Sequence, residues 1–165
     1  MNMYTNEAIE ALGYLHCADT YFRGVFHCQD LISEPEAAPR KNSAFIVNAA
    51  PSRTADGHFI LITFRESAKV LHFFDSSGLP VLIYNDVCDY VLHFKLHVCI
   101  ESRAPIQSAL STFCGLYCIG KMWMEHAGLS TNSYFKFFHR KPDMRNDVRI
   151  LTVISALHDV LSSKE

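Results

Sequence analysis

Residues 44–74 read AFIVNAAPSRTADGHFILITFRESAKVLHFF. Three apolar runs stand in this stretch: 44–49 (AFIVNA), 58–64 (HFILITF) and 70–74 (VLHFF). Their β-branched and aromatic side chains suit a pleated, packed surface. Turn chemistry bounds each run: Pro51-Ser52 and Asp56-Gly57, then Glu66-Ser67, then Ser76-Ser77-Gly78. They read as adjacent strands of an antiparallel or mixed sheet. Their near-continuous apolarity predicts burial on both faces.

Outward toward the N-terminus, 21–26 (YFRGVF) is aromatic around a central Gly and reads as an extended piece or turn. Residues 6–15 carry Ile9, Leu12 and Tyr14 and read as a short opening helix with Thr5 as its N-cap. Between them and the sheet, the polar, Pro-rich 29–42 is a surface loop and not a domain boundary. Toward the C-terminus, Leu82, Val87, Tyr90 and Val91 recur at helical spacing, predicting a helix from about Val81 to His93. Residues 95–100 (KLHVCI) alternate as a strand would. The run 113–127 reads as a buried helix, with Cys114, Tyr117, Cys118, Lys121, Met122 and Glu125 three and four apart. After a short aromatic helix or turn at 132–138, residues 147–162 form an amphipathic helix with Val148, Leu151, Ile154, Leu157 and Leu161 on one face. Helices and strands mix without regular β-α-β alternation, which predicts an α+β fold.

At 165 residues the chain is expected to be one domain, 1–165, large enough to bury a core. Nearly half the residues are hydrophobic (49%) and a net charge of −2 gives no general attraction to nucleic acid or membrane. The first residues, MNMYTNEAIEALGYL, lack a basic region and a long apolar run, so no signal peptide is expected. Six cysteines without such a signal point to a reducing compartment, cytoplasmic or nuclear.

The chemistry centres on 106–118, IQSALSTFCGLYC. Cys114 falls on the first turn of a helix, where backbone N–H groups and the helix dipole favour a thiolate. Gln107, seven residues upstream, carries a side-chain amide able to donate to an oxyanion. His58 opens one strand and Asp75 closes the next. If those strands pair antiparallel, the carboxylate and the imidazole come within reach of each other. A cysteine protease needs that set: an acid orienting a base, a thiol, and an amide for the oxyanion. Taken singly, each residue has an ordinary structural account. Cys114 is a small hydrophobe in a helix, His58 a half-exposed or satisfied histidine, Asp75 a turn former and Gln107 a solvated loop residue.

Three strings in this order, FIVNAAPSRTADGHFILITF (45–64), LHFFDSSGLP (71–80) and IQSALSTFCGLYC, resemble the adenain-like cysteine proteases, the maturation proteases of adenoviruses. The same layout marks their clan CE relatives, the SUMO-specific and ubiquitin-like proteases. The shared elements are a Gly-His opening a strand, an aromatic-acidic end to the next, and a Gln seven residues before Cys-Gly. YFRGVFHCQDLI (21–32) also resembles the family, so the likeness runs from about 21 to 127. It implies a papain-like clan CE fold: a mixed β-sheet packed between helices, with the nucleophile at a helix N-terminus. By position, Cys114 matches the nucleophile, His58 the general base, Asp75 the orienting acid and Gln107 the oxyanion amide. The backbone N–H of Cys114 would be the second oxyanion donor. The implied substrates are proteins cut at Gly-containing sites: viral precursor proteins, or the Gly-Gly termini of ubiquitin-like proteins. A viral enzyme of this kind would be packaged in the virion.

The chain departs from the family in several places. Phe59 stands where the family has Trp after the histidine. Asp75 is Asp, as in most of the clan, where adenain has Glu. The segment between Asp75 and Gln107 and the C-terminus are shorter. Adenain takes an activating peptide through a cysteine, and DNA. Cys99 resembles that cysteine, but its default reading is a core residue of a strand, and no cofactor is carried over. The basic run 136–149 (KFFHRKPDMRNDVR) has five Lys/Arg against two Asp, and reads first as a solvated approach to a helix rather than a DNA contact. The histidine and cysteine pairs (His93 and His97 with Cys99, Cys114 and Cys118, His16-Cys17, His27-Cys28) lack zinc spacing, so no metal site is expected. The alternatives to a maturation protease are a ubiquitin-like-protein isopeptidase and a catalytically silent binding domain of the same fold.

Overall fold

The three apolar runs form the centre of a five-stranded mixed sheet, ordered β1-β2-β3-β4-β5. A computed structural model describes residues 5–17, 20–52, 57–101 and 104–163. β2 (Ser43–Asn48), β3 (Phe59–Phe64) and β4 (Val70–Phe74) pair antiparallel in chain order. β1 (Phe22–His27) lies parallel to β2 on one side, and β5 (His97–Ile100) parallel to β4 on the other. Every residue of β2 and β3 is buried, as their unbroken apolarity predicts. β1 covers 22–26 of the segment 21–26, which settles the choice left between extended piece and turn. Asp56 of the expected Asp56-Gly57 turn lies outside the described residues.

The period-two alternation of the strands divides the core in two. Ala44, Ile46, Phe59, Leu61 and Phe74 face α1 (Asn6–His16), α3 (Cys114–His126), α4 (Thr131–Phe135) and α5 (Met144–Ser162). Phe45, Val47, Ile60, Ile62, Phe64, Leu71 and Phe73 face α2 (Asn85–Phe94) together with Leu31 and Ala37. The chain is therefore α+β, with a mixed sheet between helices. No helix among the described residues is long and apolar enough to cross a membrane.

α1 begins as expected, with Thr5 Oγ1 accepting from Ala8 N at 3.3 Å. α3 is the central helix: every residue from Cys114 to Met124 is buried. Each large apolar side chain it sinks, such as Leu116 or Met122, contributes roughly 1.5–3 kcal/mol. α1 crosses its first turn closely. A Cβ placed on Gly115 would come 2.4 Å from Ile9 Cδ1, so glycine is what lets the two helices meet.

Lys121 is only 1% exposed, yet it is not stranded. Its Nζ donates to Glu101 Oε2 at 2.9 Å and to Thr131 Oγ1 at 3.1 Å, and it also meets Glu125. Arg65 closes the cluster on Glu101 (2.6 Å) and Glu125 (2.5 Å). Burial penalises the ammonium more than Glu101 restores it, so its pKa falls to about 8.

Two helices differ from expectation. The single helix from Val81 is broken: a 3₁₀ turn, Val81–Ile83, precedes α2, and Leu82, expected on the buried face, is 78% exposed. The break falls at Tyr84, whose backbone leaves helical geometry (φ −101°, ψ 84°). α5 is rotated from its expected face. Val148 and Leu151 are exposed, whereas Asn146, Asp147, Ile150 and Val153 are buried. The cause is polar: Asp147 accepts from Tyr117 Oη at 2.9 Å and Asn146 is fully hydrogen-bonded inside, which turns the first half of the helix. Ile154, Leu157 and Leu161 pack on the core as their spacing predicts.

Candidate active site

Antiparallel pairing of β3 and β4 brings the residue before one strand beside the residue after the other. His58 immediately precedes β3 and Asp75 immediately follows β4. His58 Nε2 lies 2.7 Å from Asp75 Oδ1. Asp75 is fully buried and its carboxylate is met from several directions. Oδ1 also accepts from Ser77 N (2.8 Å), and Oδ2 accepts from Tyr84 Oη (2.7 Å). A buried charge needs such saturation. The Tyr84 ring is nearly parallel to the His58 imidazole, 11° apart with centroids at 6.4 Å. Burial and the adjacent Asp75 raise the Tyr84 phenol, so it stays a donor.

With Nε2 committed to Asp75, Nδ1 remains for Cys114, to which His58 is also hydrogen-bonded. Burial works against a charged imidazole here, but the bonds to Asp75 and Cys114 outweigh it and push the His58 pKa up to about 10. The ring is therefore an imidazolium at neutral pH. Its side chain keeps 26% of its exposure, enough to meet solvent or a ligand.

Cys114 is the first residue of α3 and is 2% exposed. Its Sγ accepts from the backbone N–H of Phe59 at 3.4 Å. One turn on, the Cys118 thiol donates to the carbonyl of the same residue, Phe59 O, at 3.5 Å. The two sulfurs thus bracket Phe59 and clamp the start of α3 onto the start of β3. Burial pushes the Cys118 thiol well up, which suits the structural role its position suggests.

Gln107 is no solvated loop residue: it is 5% exposed. Its Nε2 donates to Ser111 O at 3.0 Å and its Oε1 accepts from Ser76 Oγ at 2.5 Å. The backbone N–H groups of Ile106 and Gln107 both donate to Ser76 O, at 2.9 and 3.0 Å. Asn146 Nδ2, from α5, holds Ile106 O at 2.9 Å. The turn after β4 closes with Gly78 N on Asp75 O at 3.0 Å. Gly78 has φ +68°, and a Cβ there would lie 2.5 Å from Pro105 N, so only glycine lets this turn sit against the Gln107 segment.

The fold thus sets His58 between Asp75 and Cys114, bonded to both, and ties Gln107 to the residue after Asp75. Chemically, the set offers a sulfur beside a charged imidazole, with the Gln107 amide held by the residue next to Asp75. Tyr84, Ser76 and Asn146 escaped the sequence reading. Tyr84 looked like part of a continuous helix, Ser76 like a turn residue, and Asn146 lay just before the helix as expected.

Two secondary readings also meet the structure. Cys99 is not a core residue but exposed, because β5 is the edge strand and all four of its residues are exposed. Among the described residues, one group of three metal-type side chains converges, His72, Cys99 and Glu101, with ligand atoms within 4.8 Å of one another. Glu101 there is already bonded to His72 Nδ1 (3.2 Å) and paired with Lys121 and Arg65. In the basic run, Arg145 pairs with Asp143 at 2.6 Å, Arg149 donates to Phe137 O at 2.8 Å, and Phe138 is buried. Comparison of the chain with protein-family profiles and with curated proteins gives no match, so the site is read from its own geometry.

Proposed function

We propose that this chain is a cysteine endopeptidase of the adenain-like, clan CE kind, with a papain-like arrangement of helix and sheet. The observation that carries the proposal is His58, bonded through Nε2 to buried Asp75 at 2.7 Å while its other face meets Cys114 at the start of α3. In this reading Cys114, as the thiolate partner of the charged His58, attacks the scissile carbonyl. The Gln107 amide and the Cys114 backbone N–H hold the oxyanion, and His58 gives its proton to the leaving amine. The peptide C–N bond breaks and a thioester remains on Cys114. His58 then takes a proton from water, whose hydroxide hydrolyses the thioester and restores the thiolate beside the charged imidazole. The reading calls for no metal and no cofactor. It places the protein in the cytoplasm or nucleus, or in a virion, where a thiol stays reduced.

The proposed substrates are protein precursors with Gly-containing sites. The test is a cleavage panel: peptides with internal Gly-Gly or Gly-x-Gly sites beside ubiquitin and SUMO fusions, each run with the wild type and Cys114→Ala. Cleavage of the internal sites, abolished in Cys114→Ala, is expected. Processing of the fusions alone would make the chain a ubiquitin-like-protein isopeptidase. If no member of the panel is cut and Cys114 is alkylated no faster than the exposed Cys99, the peptidase reading is refuted and a binding domain remains.

A further inference from the structure

We infer that Ser76 is a positioning residue for the oxyanion amide, so that the dipeptide Asp75-Ser76 at the end of β4 sets both halves of the proposed active site. This rests on the peptidase reading above. Ser76 is fully buried, and three hydrogen bonds among the described residues join it to the Gln107 segment: its hydroxyl to Gln107 Oε1, and its carbonyl to Ile106 N and Gln107 N.

The hydrogen-bonding inventory of the amide makes the consequence specific. A glutamine side chain has one oxygen acceptor and two N–H donors. Ser111 O takes one N–H and, being only an acceptor, decides which end of the amide is nitrogen. The Ser76 hydroxyl takes the oxygen at 2.5 Å and fixes the plane about the last torsion. One N–H is left, its direction fixed by the other two bonds, and in the peptidase reading it is the oxyanion's donor. A donor helps a transition state only if it is aimed before the charge appears.

The residue before Ser76 does the same for the base, since Asp75 Oδ1 holds His58 Nε2 at 2.7 Å. Base and oxyanion donor are therefore referenced to two consecutive residues of one turn. That turn is closed by Gly78 N on Asp75 O, so neither can drift without the other.

The test separates two reactions of one thiol. Iodoacetamide alkylates sulfur by displacing iodide at a tetrahedral carbon, and no oxyanion forms. p-Nitrophenyl acetate acylates it through a tetrahedral oxyanion, expelling p-nitrophenolate and leaving a thioester. Both rates are measured on the full chain and assigned to Cys114 by peptide mass, in the wild type, Ser76→Ala, Gln107→Ala and the double variant. For Ser76→Ala, alkylation stays within about twofold of wild type and acylation falls roughly tenfold, the effect of one ordinary hydrogen bond. For Gln107→Ala, acylation falls by up to about 10²–10³-fold. The double variant acylates no more slowly than Gln107→Ala, because Ser76 acts through that amide.

Wild-type acylation in Ser76→Ala, a further tenfold loss in the double variant, or alkylation falling in step with acylation would each overturn the inference. If Ser76→Ala does not fold, Ser76→Cys keeps the shape with a weaker donor, and the same split in smaller measure is expected. The peptidase reading fails separately: wild-type Cys114 would then show neither reaction faster than Cys99, and the inference would fall with it.

Discussion

Replacing Asp75 with Asn tests the electrostatic core of the site. The carboxylate accepts from His58 Nε2, Ser77 N and Tyr84 Oη, at 2.7, 2.8 and 2.7 Å. Asn keeps the shape but has one acceptor oxygen and no charge, so the Asp75 share of the support that raises His58 is lost while Cys114 and burial remain. The ring should then titrate below about 10, toward its ordinary 6.5. At pH 8 a group of pKa 10 is about 99% protonated and one of pKa 6.5 about 3%, so the fall in imidazolium is at most roughly 30-fold. The assay is the ring C–H chemical shift of His58 against pH in wild type and Asp75→Asn. Iodoacetamide labelling of Cys114 at pH 7, with exposed Cys99 as internal reference, accompanies it. Because the folded value lies above the unfolded one, the stability His58 contributes is full below about pH 6.5 and is lost as pH rises through about 10. Asp75→Asn should therefore lose stability relative to wild type at pH 6, and the gap should narrow toward pH 10. A wild-type ring titrating near 6.5, or a variant ring still charged at pH 9, refutes the reasoning.

Tyr84→Phe removes a donor from a buried carboxylate and should cost roughly 1.5–3 kcal/mol in urea unfolding; no loss would mean the phenol is incidental to Asp75. Lys121→Met takes the buried ammonium from Glu101 and Glu125, and a broken buried ion cluster costs about 3–5 kcal/mol, read from the denaturation midpoint. In Asn146→Ala, Ile106 O and the backbone of His139 lose their partner. Amide hydrogen exchange at Ile106 and Gln107 should speed up while that of β3 does not. Gly115→Ala forces a methyl against Ile9 and should lower stability by roughly 1–3 kcal/mol, with the variant Ile9→Ala/Gly115→Ala recovering part of it.

Much of the molecule is legible from local pattern. Strand runs at 44–49, 58–64 and 70–74, the Thr5 cap and the buried run after Phe113 depend on neighbours one to four residues away, which periodicity reports directly. His58, Asp75 and Cys114 sit at the ends of such runs, whereas their order with Gln107 drew its weight from a family resemblance and not from local pattern. The expectation that β3 and β4 pair antiparallel was enough to bring His58 and Asp75 together.

The remainder was decided by which segments meet. Ser76 and Gln107 are 31 residues apart and Asn146 and Ile106 are 40 apart, distances over which no periodicity reaches. Tyr84 breaks a helix where its hydroxyl meets Asp75, so its local pattern misled. Asn146 and Asp147 turn α5 because carbonyls and a phenol from other elements satisfy them inside. Cys99 is exposed because β5 lies at the sheet's edge, which is a property of strand order and not of VCI. Sequence alone thus determined which residues are apolar, capped or turned. The tertiary structure decided which buried polar groups find partners, because burying one is favourable only where a distant segment supplies its hydrogen bond.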